Sequence, residues 1–159
     1  MLEIFVIILL LFQQQTEESF MITRPEAIDE EVEFDGRSLI TETDTKGVIT
    51  FVNRKFVEMT GYSKKEALGQ SHNILRHPDM PKVAFAGMWK IIKEGKTWDG
   101  YVKNLRKDGK YYWVDVHIVP KKDENGTVIG YIASRKIADP KRLESTIVQY
   151  REMLAKEKA

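Results

Sequence analysis

Three glycine-closed turns constrain this chain more than any other feature. Lys46-Gly47, Asp108-Gly109 and Asn125-Gly126 each separate runs of β-branched or alternating residues. A pair of that kind between such runs is a hairpin signal, because glycine tolerates the left-handed backbone of a tight turn. The runs predict strands near residues 38–43, 48–52, 98–106, 111–120 and 127–136. Hairpins pair their strands antiparallel, so a five-stranded antiparallel sheet is expected. Residues 53–97 carry helical patterns beginning at Asn53, at Ser63 and after His77-Pro78, which places the core helices in one insertion between strands 2 and 3. The fold class is therefore α+β.

The last inserted helix carries Phe85, Met88, Trp89 and Ile92 at i, i+3, i+4 and i+7, one apolar face to be packed on the sheet. Asp79 is expected to cap it, Pro81 to fall in its first turn and Gly95 to end it. The fourth strand alternates, with Tyr112, Val114, Val116 and Ile118 facing the core and Tyr111, Trp113, Asp115 and His117 facing out. The outer set is too aromatic for open solvent, so a helix or another chain is expected to cover it. Asp139-Pro140 opens a final helix running to about Lys156, with Leu143, Ile147, Tyr150 and Leu154 along one seam. The division follows: an N-terminal extension over 1–37, a domain over 38–137 and a C-terminal helix over 138–159.

Composition limits the function. The 159 residues suffice for one domain, and 25 basic against 24 acidic residues, interspersed, leave no basic stripe for a phosphate backbone. Nucleic acid is not an expected partner. There is no cysteine, hence no disulfide, thiolate metal site or thiol nucleophile, in keeping with a reducing cytoplasm. Leu2–Phe12 is apolar apart from Glu3, yet as a helix it would rise about 16 Å, roughly half a bilayer core. It is read as a non-spanning segment, either a short docking helix or sequence preceding a genuine start at Met21. No P-loop, GxGxxG, HExxH or GxSxG pattern is present, so hydrolase and dinucleotide-fold readings lose support.

The densest polar cluster is His72-Asn73 followed by Arg76-His77-Pro78-Asp79-Met80-Pro81, just before the Trp89 helix. A helix N-terminus beside an arginine fork could hold an anion; the alternative, favoured by composition alone, is that Asp79 caps the helix while Arg76 and His77 make surface contacts. On the third strand, Trp98, Gly100, Val102 and Asn104 share a face. Trp98 offers a stacking surface and Asn104 an amide suited to the imide edge of a planar heterocycle. Either tryptophan could instead be core, and Asn53 a helix cap.

The segment GVITFVNRKFVEMTGYSKKEALGQSHNILRHPDMP resembles the PAS family, and HNILRHPDMPKVAFAGMWKIIKEGKTWDGYVKNLRKDGKYYWV is similar to its FAD-binding branch, found in aerotaxis receptors and short energy-taxis proteins. The resemblance covers roughly Ser38 to Lys136. It implies that Arg76, His77 and Asp79 support flavin binding, that Trp89 and Trp98 line the pocket, and that Asn53 and Asn104 supply polar contacts. It implies FAD, with FMN and haem as alternatives, and a non-enzymatic redox sensor in the cytoplasm. Its partner would be a membrane-bound chemoreceptor-like protein, which could bring the chain to the inner face of the membrane. No cysteine is present for light-driven adduct chemistry. Rival readings are a haem domain ligated by His72, His77 or His117, and a cofactor-free module whose aromatic face and last helix drive homodimerisation.

Overall fold

Period-two alternation decides which side chains each strand turns inward, and the observed strands follow it. The computed structural model describes residues 21–159, so the expectations for Leu2–Phe12 lie outside the described residues. The strands are β1 (Leu39–Thr43), β2 (Ile49–Val52), β3 (Trp98–Leu105), β4 (Tyr111–Lys122) and β5 (Val128–Lys136). They form one sheet in the order β2-β1-β5-β4-β3, with every neighbouring pair antiparallel. The predicted inner set of β4, Tyr112, Val114, Val116 and Ile118, is buried. Burying side chains of this size contributes about 1.5–3 kcal/mol each.

Between β2 and β3 lie α1 (Arg54–Thr60), α2 (Lys64–Ala67), a 3-10 turn (His72–Leu75) and α3 (Lys82–Lys93). The Asn53 side chain accepts the Phe56 N–H to open α1, and Ser63 with Glu66 forms a reciprocal capping box on α2. Phe56, Met59, Ile74, Leu75, Met88 and Ile92 close over the inner face of the sheet.

The start of α3 departs from expectation. Its N-cap is Pro81, without a side-chain hydrogen bond, and Asp79 instead pairs with Lys103 of β3 at 2.8 Å. The free Val83 N–H is taken by Glu157 at 2.9 Å, from the far end of α4 (Pro140–Lys158). A carboxylate from the last helix therefore occupies the N-terminus at which a ligand anion was one of two possibilities.

The outer face of β3 and β4 is covered by the chain itself. Trp113 stacks on Tyr150 of α4 at 6.4 Å and 23°, and the Tyr150 hydroxyl donates to the Tyr101 carbonyl at 2.7 Å. Leu143, Ile147, Tyr150 and Leu154 are half-buried along this helix. β5 reaches β4 only from Asp115 onward. The exposed start of β4 is paired instead by the N-terminal segment, where Tyr111 N–H donates to Glu30 and Val32 N–H donates to Tyr111. This strap passes so close to the β3–β4 turn that a Cβ on Gly109 would lie 2.4 Å from the Glu26 carbonyl oxygen.

Candidate functional site

A cavity of about 480 Å³ opens between the inner face of the sheet and the 3-10 turn and α3, within the range of small-molecule sites. It lies over two rows of the inner face. Thr41 on β1, Ala133 on β5 and Ile118 on β4 share a row with Trp98 of β3. The next row runs from Leu39 through Arg135 and Val116 to Gly100. The Trp98 indole folds back over Gly100, where a Cβ would meet it at 2.4 Å. Gly100 thus lets the indole lie flat along the sheet.

The opposite wall is α3. Phe85, Met88, Trp89 and Ile92 all border the cavity, the face read from their spacing. Trp89 meets Tyr131 edge to face at 5.7 Å, and its ring packs so closely on the β1–β2 turn that a Cβ at Gly47 would touch it at 3.1 Å. Arg76 lies over the Phe85 ring at 4.9 Å and donates to the Met80 carbonyl at 2.9 Å. Lys46, Ser71 and Asn73 border the cavity and are exposed, which places its mouth.

The polar end of the cavity carries Asn104, His72 and Arg135. Asn104 is 3% exposed and donates to the Tyr112 hydroxyl at 3.3 Å. Burial pushes the Tyr112 hydroxyl up to about 12, so it remains a neutral donor and acceptor. Arg135 donates to Thr41 Oγ1 at 3.0 Å, to the Ala133 carbonyl at 3.3 Å and to His72 Nε2 at 2.8 Å. Burial and the Arg135 charge push His72 down to about 3, so its ring is neutral, with Nε2 accepting and the proton on Nδ1.

Four of the seven expected site residues, Arg76, Trp89, Trp98 and Asn104, border this cavity. Asn53 does not. Its amide caps α1, accepts from Ile40 N–H at 3.2 Å and donates to the Ser38 carbonyl at 2.9 Å, tying β1 to the helix layer. His77 and Asp79 lie on the other side of the sheet. The His77 ring packs against Tyr111 edge to face at 5.7 Å, its Nδ1 accepts the Asp79 N–H at 3.1 Å, and Lys103 lies 3.9 Å from the Tyr111 ring centroid. The separation has a local cause: Arg76 forms an antiparallel bridge with Asn104 at the open edge of β3. Residues 76 and 77 therefore alternate as in a strand, one inward and one outward.

Arg135 was missed by sequence reading. It belongs to no motif, and the signal available was its place in the inward alternation Tyr131, Ala133, Arg135. Of the three histidines only His72 borders the cavity; His117 is exposed on the outer face, 2.7 Å from Asp99.

A five-stranded antiparallel sheet with its inserted helices gathered on one face around a ligand-sized cavity is the architecture of a small sensor domain. The chain belongs to the PAS fold family, whose model matches residues 49–135. It is 42% identical to the aerotaxis receptor of Escherichia coli (strain K12) over 121 residues, which cover 76% of this chain and 24% of that protein. The chain thus corresponds to about a quarter of that relative. A PAS domain from Colwellia psychrerythraea superposes with a TM-score of 0.55 at 28% identity, over 64% of this chain and 86% of the other. A Light-Oxygen-Voltage domain whose mechanism was probed with a flavin analogue shares the fold, with a TM-score of 0.61 at 21% identity, over 74% and 88% of the two chains. Among the described residues, no helix is long and apolar enough to cross a membrane.

Proposed function

We propose that this chain is a non-enzymatic, FAD-binding redox sensor that signals in trans, from the cytoplasm, to a membrane-bound chemoreceptor-like partner in aerotaxis or energy taxis. The observation that carries the reading is the cavity itself. Trp98 lies flat along its sheet side, Trp89 and Phe85 wall the helix side, and Asn104, Thr41 and Arg135 supply donors and acceptors at one end. An apolar slot with a polar end suits a planar heterocycle with an imide edge. A 480 Å³ space would take the ring system, leaving the ribityl and phosphate portion to extend past the mouth, where Lys46 is exposed. The 42% identity to an aerotaxis receptor supports the choice of stimulus.

Bound there, a flavin supplies a reversible couple that takes up two electrons and one or two protons. The chain's part is to hold the ring and respond to its hydrogen-bonding edge. Asn104 can exchange the Tyr112 hydroxyl for a ligand atom by rotating its amide. Its strand neighbour Lys103 grips Asp79 on the outer face, and Tyr101 receives the α4 hydroxyl. A shift of β3 therefore reaches α4, which covers Trp113, and would change what that helix presents to a partner. Asn53, His77 and Asp79 act in this reading as positioning residues for the β1 and β3 edges.

The test is the absorption spectrum of purified protein before and after dithionite, with the released cofactor identified by chromatography. Flavin bands that bleach on reduction, with FAD released, are expected. A haem spectrum, or a colourless protein that takes up no FAD, overturns the reading. Asn104→Ser is expected to keep flavin and lose taxis signalling; unchanged signalling removes Asn104 from the relay.

A further inference from the structure

Charges of opposite sign collect on two separate elements of the surface. Between Pro25 and Gly36 the strap carries Glu26, Asp29, Glu30, Glu31, Glu33 and Asp35, and no basic residue. Glu30 pairs with Lys110, and Asp35 with Lys55 and Arg37. Glu26, Glu31 and Glu33 are exposed and form no ion pair among the described residues. The helix α3 is the reverse, with Lys82, Lys90 and Lys93 exposed and no acidic residue along its length. None of these lysines forms an ion pair among the described residues; Lys93 lies over the Trp89 ring at 5.5 Å, and Lys90 acts on Glu94 only at a distance. One exposed charge is simply solvated, but a cluster of one sign repels itself and attracts a surface of the other.

Both surfaces also carry apolar side chains. Beside the lysine row of α3, Val83, Gly87 and Ile91 succeed one another at four-residue spacing, with Val83 53% and Ile91 36% exposed. A Cβ at Gly87 would meet nothing, so this row is open to a close approach. On the strap, Ile28 is 44% exposed between Glu26 and Glu31. The strap is already fixed in place: Ile28 N–H donates to the Gly109 carbonyl at 2.9 Å, Tyr111 N–H to Glu30 at 3.0 Å and Val32 N–H to Tyr111 at 2.8 Å. It would dock as a formed surface, with little ordering cost. The two surfaces do not meet within one molecule. Lys90 and Lys93 lie at the end of α3 that leads into Trp98, whereas the strap crosses the Leu105 and Tyr111 end of the β3–β4 hairpin. β3 is eight residues long, about 23 Å from end to end, against a screening length of about 8 Å at physiological ionic strength.

We propose that the acidic strap of one molecule docks on the basic outer face of α3 in a second copy, head to tail. Ile28 rests on the row of Val83, Gly87 and Ile91, with the carboxylates flanking it against the lysines. A second copy is the occupant because the chain itself carries the complementary acidic run; a bilayer surface would call for aromatic or bulky side chains, which the exposed face of α3 lacks. The two surfaces differ, so every copy in the pair keeps one of its two unfilled, and the contact extends into an open row rather than closing a two-fold dimer. The inner side of α3 walls the cavity, so each neighbour's strap lies on the helix that faces the ligand. The contact itself does not depend on what the cavity holds.

The experiment is sedimentation velocity of the full chain over rising concentration, in low salt and again in high salt. Species that grow past the dimer with concentration are expected, reverting to monomer as salt screens the exposed charges. Lys82→Glu combined with Lys90→Glu is expected to weaken association by about tenfold or more, and so is Glu26→Lys combined with Glu31→Lys, because each sets like charges together. The four side chains are exposed and hold no other part of the fold. Mixing the two variants is expected to restore association, since each supplies the sign the other has lost. A wild-type chain that stays monomeric at every concentration overturns the inference without any variant. Association that halts at the dimer, survives high salt or ignores either pair of substitutions overturns it too, as does a mixture that stays apart. Monomeric wild type that binds phosphatidylserine vesicles through these lysines gives the face to a lipid surface and overturns it likewise. The flavin spectrum of the same samples is a separate readout, whose absence brings down the functional reading and leaves this contact standing.

Discussion

The two faces of the sheet treat charge in opposite ways. On the outer face, carboxylates meet their partners: Asp79 with Lys103, Asp99 with His117 and Asp115 with Lys136. On the inner face, Arg135 has neutral partners and one orphaned N–H. The outer face also closes its aromatic surface with α4 and the N-terminal strap, whereas the inner face keeps a 480 Å³ gap. One side is satisfied by the chain alone; the other is left unsatisfied, and it is there that the proposed ligand would bind.

Substitutions should separate the two. The largest effect belongs to Trp98→Ala on the inner face. Aromatic stacking of a base is worth about 1–3 kcal/mol, so flavin retention should fall by about tenfold or more. The melting temperature of the ligand-free protein should stay near wild type, because Trp98 is only half-buried. A flavin dissociation constant unchanged by this substitution would break the distinction between faces.

Asp79→Asn should do the reverse. It leaves Lys103 without its carboxylate, with the ammonium side chain 11% exposed against 61% for the aspartate. Burial alone would raise the Asp79 pKa, and the Lys103 bond and charge outweigh it to hold it below the usual range. The exposed partner limits the loss to about 1 kcal/mol. Denaturant unfolding should show it with and without flavin alike, and retention should drop only in step with stability.

The third test is pH. Burial and the Lys103 charge push His77 down to about 4, against the pull of Asp79 and Asp29, and His72 is held at about 3. Both histidines ionise near 6.5 when unfolded. Below that value the unfolded chain takes the protons first, so the stability present above it is lost as pH falls toward those folded values. Urea midpoints should therefore be lower at pH 5 than at pH 7, and His77→Gln should shrink that difference. A midpoint flat across this interval would show that neither ring is held neutral.

The most local effect expected is for Tyr150→Phe, which removes the bond to the Tyr101 carbonyl and keeps the stack on Trp113. About 0.5–1.5 kcal/mol of α4 docking should be lost, seen as faster amide exchange in α4 with the rest of the sheet unaffected.

Much of the frame was legible in the residues. The glycine turns at 47, 109 and 126 place the strand ends within about two residues, and all three adopt positive φ. The alternation of β4 and the spacing of Phe85, Met88, Trp89 and Ile92 identified both walls of the cavity. The His72–Pro81 cluster was less readable. It looks continuous in sequence, yet the bridge from Arg76 to Asn104 sends Arg76 inside while His77 and Asp79 face out. The capping role expected of Asp79 failed for a related reason: Lys103, from a strand 24 positions away, offers it an ion pair instead.

By itself the sequence determined what depends on near neighbours along the chain: strand and helix positions, hairpin pairing, the caps at Asn53, Ser63 and Asp139, and the inward set on each strand. Only the tertiary structure decided what depends on distant segments meeting. Pairing of the first strand with the last places Thr41 beside Ala133 and brings Arg135 to His72. Closure of α4 across the sheet takes Glu157 to the start of α3. Local patterns are set by backbone geometry repeating every two or 3.6 residues. The electrostatics of the cavity come from which residues share one enclosed space, and no periodicity encodes that.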